Sequence, residues 1–133
     1  MNKEYYAKFR IYYEDTDSGG IVYYANYLKF FERARTEVLR EINVSQFELV
    51  NRDNLIFVVM HCDISYKKPA KLDDLIEVKT TVEKIGSTSM TMNQEIFLGD
   101  ELLNILNVKI VCIDNITKRP KKIPLEIKNK LSQ

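Results

Sequence analysis

"YYEDTDSGGIVYYANYLKFFERARTEVLREI", residues 12–42, sets a run of acids and two consecutive glycines directly before a helical pattern. From Asn26 onward, Tyr27, Phe30, Phe31, Ala34, Val38 and Ile42 recur at helical spacing, and Leu28 and Leu39 widen the apolar stripe. Lys29, Arg33, Thr36, Glu37 and Arg40 share the opposite face. So broad a stripe predicts a helix lying against something large. Arg33 and Glu37, four residues apart, are expected to form an exposed supporting pair.

Strand patterns flank the helix. Residues 5–13, "YYAKFRIYY", alternate well enough for a first strand, which "EDTDSGG" then breaks. After the polar connection "NRDN", residues 55–66 read "LIFVVMHCDISY". Alternation puts Ile56, Val58, Met60, Cys62, Ile64 and Tyr66 on one face of this strand. Leu55, Phe57 and Val59 lead the other face, which turns polar at His61, Asp63 and Ser65. "KKPAKLDD" ends the strand. Ile76, Val78, Thr80 and Val82 then alternate with Glu77, Lys79, Thr81 and Glu83. "GST" turns the chain into Met90 to Leu98, and Gly99 and Asp100 turn it again. Leu102, Leu106, Val108, Ile110 and Cys112 complete a last strand; Pro120 and Pro124 frame a loop before a short helix using Leu125, Ile127 and Leu131. The order is strand, long helix, four strands, short helix, an α+β fold. One helix cannot cover both faces of five strands, so dimerisation is expected to shelter the second face.

With 133 residues, 45% apolar, residues 1–133 fit one domain that buries roughly two-thirds of the unfolded surface. The net charge of +1 argues against nucleic acid as a partner. Residues 117–133 nonetheless carry Lys118, Arg119, Lys121, Lys122, Lys128 and Lys130 against the single acid Glu126. That basic tail is either a solvated surface or a patch for a phosphorylated ligand or acidic partner. The charged start "MNKEYYAKFR" does not read as a signal peptide, and no run approaches the ~20 apolar residues of a membrane span. A cytoplasmic, non-membrane-spanning protein is the expectation. Cys62 and Cys112 each fall in a run read as a buried strand, which predicts two buried free thiols.

Several chemistries lack their residues. The single histidine, His61, sits mid-strand and no GxSxG accompanies it, which argues against a serine triad. One His and two distant Cys cannot build a Cys/His metal site of the usual spacing, and Glu14, Asp15 and Asp17 lack the spacing of a calcium loop. There is no GxGxxG and no GxxxxGK[ST]. What remains is a carboxylate-rich turn feeding a helix start, whose unpaired N–H groups and partial positive charge of about half a unit suit a developing oxyanion. Gly19 and Gly20 either let the backbone approach a ligand or adopt positive φ. A carboxylate held there would activate water or attack a carbonyl. From residue types alone, a purely structural helix cap explains the same pattern.

Residues 10–40, with D-x-D-x-x-G-[IV]-V-x-x-x-x-Y followed by F-x-E-x-A-R, resemble the active-site segment of the hotdog-fold acyl-CoA thioesterases. The likeness is to the 4-hydroxybenzoyl-CoA thioesterase family, especially its YbgC-like, Tol-Pal-associated branch. "KKPAKLDDLIEV", Lys67 to Val78, is similar to a second segment of that branch. The resemblance covers nearly the whole chain. It implies a five-stranded antiparallel sheet wrapped around one long helix, dimerised into a continuous sheet and often assembled into tetramers. It also implies hydrolysis of acyl-CoA, with coenzyme A as part of the substrate, no cofactor and no metal. By position the catalytic acid is Asp17, as nucleophile or as base for water, and the amide that polarises the thioester carbonyl is that of Tyr24. Gly20 matches the glycine that opens the turn, and Asp15 is expected to hold the loop.

Tyr24 departs from the branch, which often carries His there; a role for an imidazole is lost while a backbone N–H survives. The basic pair that the hydroxybenzoyl branch offers the CoA phosphates is reduced here to Lys84, so Lys118, Arg119, Lys121 or Lys122 are the expected substitutes. Asn26 is either the N-cap of the helix or a residue that orients the Asp17 loop or the thioester. Tyr13 and Tyr27 either line the acyl pocket or simply pack, packing being the preferred reading, and Tyr66 is expected in the core. The competing function is a hotdog module that binds acyl groups or acyl-carrier protein without hydrolysis.

Overall fold

The computed structural model describes residues 3–132. Its elements are β1 (Glu4–Arg10), α1 (Tyr27–Glu41), a short α2 (Gln46–Glu48) running into a π-turn (Leu49–Asp53), β2 (Leu55–Tyr66), β3 (Leu75–Ile85), β4 (Ser89–Leu98), β5 (Glu101–Asp114) and α3 (Leu125–Leu131). The five strands form one antiparallel sheet in the order β1-β3-β4-β5-β2. The sequence-based order holds, with one shortened element. β1 stops at Arg10, because Ile11 leaves the ladder and exchanges backbone hydrogen bonds with Asp73 and Asp74 instead.

The helix lies on the sheet along the predicted stripe. Tyr27, Phe30, Phe31, Ala34, Val38 and Leu39 are buried, whereas Leu28 is exposed. Burying each of the two phenylalanines contributes roughly 2–3 kcal/mol. The helix ends in a Schellman motif: Asn43, at φ 62, donates its N–H to Arg40 O, and Val44 donates to Leu39 O. On the solvent side, Glu37 pairs with Arg40 at 2.7 Å and not with Arg33, whose guanidinium lies over the Phe30 ring at 5.6 Å. A charge that stacks on an aromatic face has less to gain from a fully hydrated carboxylate.

Facing the helix are Ile76, Val78 and Thr80 of β3, Met90, Met92, Gln94 and Ile96 of β4, and Leu106, Val108, Ile110 and Cys112 of β5, all buried. Gly99, at φ 60, makes the two-residue β4–β5 turn possible. Gln94 is fully buried, and its carboxamide is satisfied on every side. It accepts from Arg35 Nη1 at 2.9 Å and donates to Phe31 O and to Thr80 Oγ1, both at 3.0 Å. This polar junction ties α1 to β3 and β4 in a single register.

Strand β2 departs from the simple alternation. Its pairing with β5 slips between Val59 and His61, so Met60 is a bulge residue. Leu55, Phe57 and Val59 face the helix before the bulge, opposite Cys112 and Ile110, while Cys62, Ile64 and Tyr66 face it afterwards, opposite Val108, Leu106 and Asn104. The sequence reading carried one face through the whole strand; an extra residue exchanges the faces halfway. β2 is also an edge strand, so Val59 and Met60 are exposed and Cys62 is an exposed thiol, against the expectation of a buried one. Cys112 is buried, and burial pushes its thiol up.

The outer face of the sheet is not the apolar surface expected to need shelter. Lys79–Glu95 at 3.3 Å and Asn93–Asn107 at 3.0 Å cover it with polar pairs. Exposed apolar side chains occur instead on β2, at Val59, Met60 and Tyr66, and between β1 and α1, at Tyr12, Tyr13, Ile21, Tyr23 and Tyr24. No helix among the described residues is long and apolar enough to cross a membrane.

Replacing Gln94 by Leu strands the Arg35 guanidinium and the Thr80 hydroxyl beneath α1, where burial already pulls the Arg35 pKa down. Urea denaturation at fixed protein concentration should show a loss of about 2–3 kcal/mol. A loss below about 0.5 kcal/mol would mean that the junction does not hold the helix on the sheet.

Candidate active site at the start of the long helix

Between β1 and α1 the chain forms a tight hairpin, and each acid in it has a different task. Thr16 bridges Val22 across its base, Asp17 N–H donates to Ile21 O, and Gly20 N–H donates back to Asp17 O at 3.1 Å. Gly20 sits at φ +78, and a Cβ there would meet nothing within 4 Å. Its conformation, and not crowding, demands glycine. Gly19 has ordinary φ, but a Cβ on it would come within 3.2 Å of Asp17 Oδ1.

Asp15 is buried and spent on structure. Its carboxylate accepts the Tyr12 N–H at 2.8 Å, while its carbonyl accepts the Tyr23 N–H at 3.1 Å and Asn26 Nδ2 at 2.9 Å. Asp17 is exposed at the hairpin tip. Its Oδ1 accepts the Gly19 N–H at 2.8 Å, and no other donor among the described residues reaches the carboxylate.

Asn26 immediately precedes α1, yet its side chain makes no capping bond. The bond to Asp15 O occupies it, so the side chain fastens the base of the hairpin to the helix start. Tyr24–Asn26 form a 3-10 turn that leads into α1. Tyr24 and Ala25 open this turn, so their N–H groups have no acceptor in the preceding backbone, and neither donates to another group among the described residues.

A second segment holds the hairpin from the side. Val22 N–H donates to Ala70 O at 2.9 Å, Leu72 N–H donates to Gly20 O at 3.2 Å, and Ile21 bridges Lys71. Ala70 N–H in turn donates to the buried Tyr27 Oη at 2.9 Å. Burial raises the pKa values of Tyr27 and Tyr66, which keeps both hydroxyls neutral. Tyr66 Oη donates to Tyr24 O at 3.2 Å, and the Tyr66 ring stands edge-on to Tyr24 at 6.2 Å.

These tyrosines wall an open groove of about 320 Å³ with Ile21, Lys67 and Pro69. Asp17 is not among its lining residues. Tyr66 is therefore a groove residue, 46% exposed, and not core. Tyr27 both packs and lines the groove. Tyr13, for which packing was preferred, is 82% exposed and touches no core within this chain. The 3-10 turn Tyr13–Asp15 points it outward when Asp15 folds in.

The basic tail does not belong to this site within one chain. Asp114 pairs with Leu55, whereas the groove is at the Tyr66 end of the same strand. Twelve residues of extended strand place those ends roughly 35 Å apart. Arg119 and Lys121 are fastened to the far end: Arg119 O accepts the Asp114 N–H at 2.8 Å, and Lys121 N–H donates to Cys112 O at 2.9 Å. Within one chain, Lys118, Arg119, Lys121 and Lys122, the expected phosphate ligands, thus belong to the end of β2 away from the groove.

Sequence reasoning overlooked Tyr66 as a partner of Tyr24 and overlooked Asn104. Asn104 is fully buried opposite Tyr66, and neither heteroatom of its carboxamide has a partner among the described residues. Asn104 falls on the same alternation as Leu106, Val108, Ile110 and Cys112, and a carboxamide on that apolar face of β5 was the available signal.

Comparison with known proteins agrees with this architecture. Residues 19–105 match the Thioesterase superfamily. The chain is 44% identical over 119 residues to the acyl-CoA thioesterase YbgC of Haemophilus influenzae, covering 90% of this chain and 88% of that one. It is 32% identical to the long-chain acyl-CoA thioesterase FadM of Escherichia coli, covering 82% and 83%. The crystal structure of a probable thioesterase from Bartonella henselae superposes with a TM-score of 0.85 at 34% identity, covering 93% of this chain and all of that one. A hairpin of two differently employed acids, stitched to the start of a helix that a five-stranded sheet enfolds, thus comes with matching sequence over most of its length, and the chain belongs to the thioesterase superfamily.

Proposed function

We propose that the protein hydrolyses acyl-CoA thioesters to a free carboxylic acid and CoA, with Asp17 as the reacting carboxylate and the Tyr24 amide as donor to the thioester oxygen. The observation that carries this reading is the division of labour in the hairpin. Asp15 is buried and ties Tyr12, Tyr23 and Asn26 together through its carboxylate and its carbonyl, while Asp17 is exposed at the tip of the same hairpin, with one carboxylate oxygen that no donor among the described residues reaches. The substrate class is supported by the names of the Haemophilus and Escherichia relatives.

Two routes use the same groups. In one, a carboxylate oxygen attacks the carbonyl carbon, the C–S bond breaks, the thiolate takes a proton from water, and the hydroxide so formed cleaves the resulting anhydride, releasing the acid and restoring the carboxylate. In the other, the carboxylate takes a proton from water as that water attacks, and the proton passes to the departing thiolate. Either route gathers negative charge on the carbonyl oxygen, which a fixed N–H at a helix start stabilises without reorganising. Resonance is weak across a thioester, so neither route calls for a metal or a cofactor. CoA is part of the substrate, and an acyl-carrier protein is the alternative carrier.

The exposed edge of β2, with Val59 and Met60 uncovered, supports a homodimer or homotetramer that continues the sheet across two chains. The cytoplasm, where CoA thioesters are made, is the proposed location.

Asp17→Asn can still accept the Gly19 N–H, so the hairpin should persist while thiol release from acyl-CoA falls about 100-fold or more. Wild-type rates in the variant would overturn the assignment. A wild-type protein that binds a panel of acyl-CoAs and releases no thiol would favour a binding module. Gly20→Ala forces an alanine into the left-handed region. Turnover should drop about ten- to hundredfold, with stability lowered by no more than the ~1–2 kcal/mol that an alanine in that region costs; unchanged turnover would show that the hairpin's shape is immaterial. Sedimentation should give a multiple of the 15.6 kDa chain mass, and Met60→Glu should shift it toward a single chain. A monomeric wild type would dismiss the assembly.

A further inference from the structure

Lys67, Lys68 and Lys71 line one short segment, and only one of them is neutralised. Lys68 pairs with Glu101 at 2.9 Å, while no carboxylate among the described residues comes within 4.0 Å of the ammonium groups of Lys67 or Lys71. Their backbone is held firmly. The N–H groups of Lys67 and Lys68 both donate to Leu103 O, at 2.9 and 3.1 Å; Ala70 is tied to Tyr27 and Val22; and Lys71 N–H donates to Asp74 Oδ2 at 2.8 Å while the residue bridges Ile21. Two unpaired cations are thus presented from a rigid segment that also supports the Asp17 hairpin. The backbone share of the cost of ordering them on a ligand is met in advance.

The groove beside them is apolar along Ile21, Tyr24, Tyr27, Tyr66 and Pro69, and Lys67 stands in its wall. Tyr24, which lines the same groove, opens the helical turn with an N–H that no group among the described residues accepts. Such a surface suits one kind of ligand: an uncharged arm with a thioester at one end and phosphates at the other. The basic tail, which offers the larger concentration of charge, is fastened to the opposite end of β2.

We propose that the groove takes the pantetheine arm of the CoA thioester and that Lys67 and Lys71 of the same chain bind its phosphates. This rests on the thioesterase reading of the same site and makes these lysines specificity-determining residues for the carrier. Their positive charge would select phosphorylated carriers over short thiol esters without taking part in bond breaking.

The test compares an acyl-CoA with the N-acetylcysteamine thioester of the same acid, which has no phosphate. K67Q/K71Q should raise KM for acyl-CoA about five- to tenfold and weaken the binding of free CoA in calorimetry to the same degree, with kcat little changed. KM for the N-acetylcysteamine ester should move less than about twofold, and added salt should shrink the difference for CoA. Equal effects on both esters, or none on CoA, would overturn the proposal. So would the same CoA-specific change appearing in K121Q/K122Q, because that would place the phosphates on the basic tail of a second chain. A wild type that releases no thiol defeats the thioesterase reading instead; the calorimetric comparison with free CoA still judges the lysines.

Discussion

Everything in this molecule hangs on burying one side of a fifteen-residue helix in the concave face of a sheet. Phe30, Phe31, Ala34 and Val38 have no other shelter, and β3, β4 and β5 present a matching row of buried aliphatic and methionine side chains. Because the sheet curls around the helix, the helix start emerges at one rim. There its first amides meet the loop that enters it and the segment that leaves β2. The position of the site therefore follows from how the core is filled.

Polar groups are used sparingly inside that core, and each has a consequence. Gln94, Thr80, Arg35 and Phe31 O form a closed set of hydrogen bonds that removes the freedom of α1 to slide along the sheet. An apolar core of the same volume would tolerate such sliding. A shift of one residue would carry Tyr24 and Asn26 away from Asp15, to which the helix start is tied. Specific packing at the middle of the helix thus protects geometry at its end.

Much of the architecture was legible in the chain. The stripe from Tyr27 to Ile42 located the helix, and the alternation from Ile76 to Val82 assigned the faces of β3 correctly, because both are regular elements with a single buried side. Legibility failed where a pattern was interrupted or a partner was remote. Met60 is indistinguishable in sequence from its neighbours, yet as a bulge it exchanges the two faces of β2, and the place of β2 at the sheet edge leaves Cys62 exposed. Arg33 had an acid at the favoured helical spacing and stacks on Phe30 instead. Tyr13 and Tyr66 look alike as aromatic residues at strand ends; one projects into solvent and the other closes on Tyr24 O, forty-two residues away.

Taken alone, the sequence determined the helix, the strands and the presence of an acid-rich turn containing two glycines, because these depend on periodicity and on turn-forming residue types; the structure assigned the positive φ to Gly20. It also separated the family-like segments from the rest of the chain. Only the tertiary structure decided which acid was consumed by the fold and which was left free, since that depends on carbonyls and amides brought from Tyr12, Tyr23 and Ala70. It likewise separated the basic tail from the groove by the length of a strand. Charge can be counted along a chain, but a strand's direction and register are needed to say what it faces.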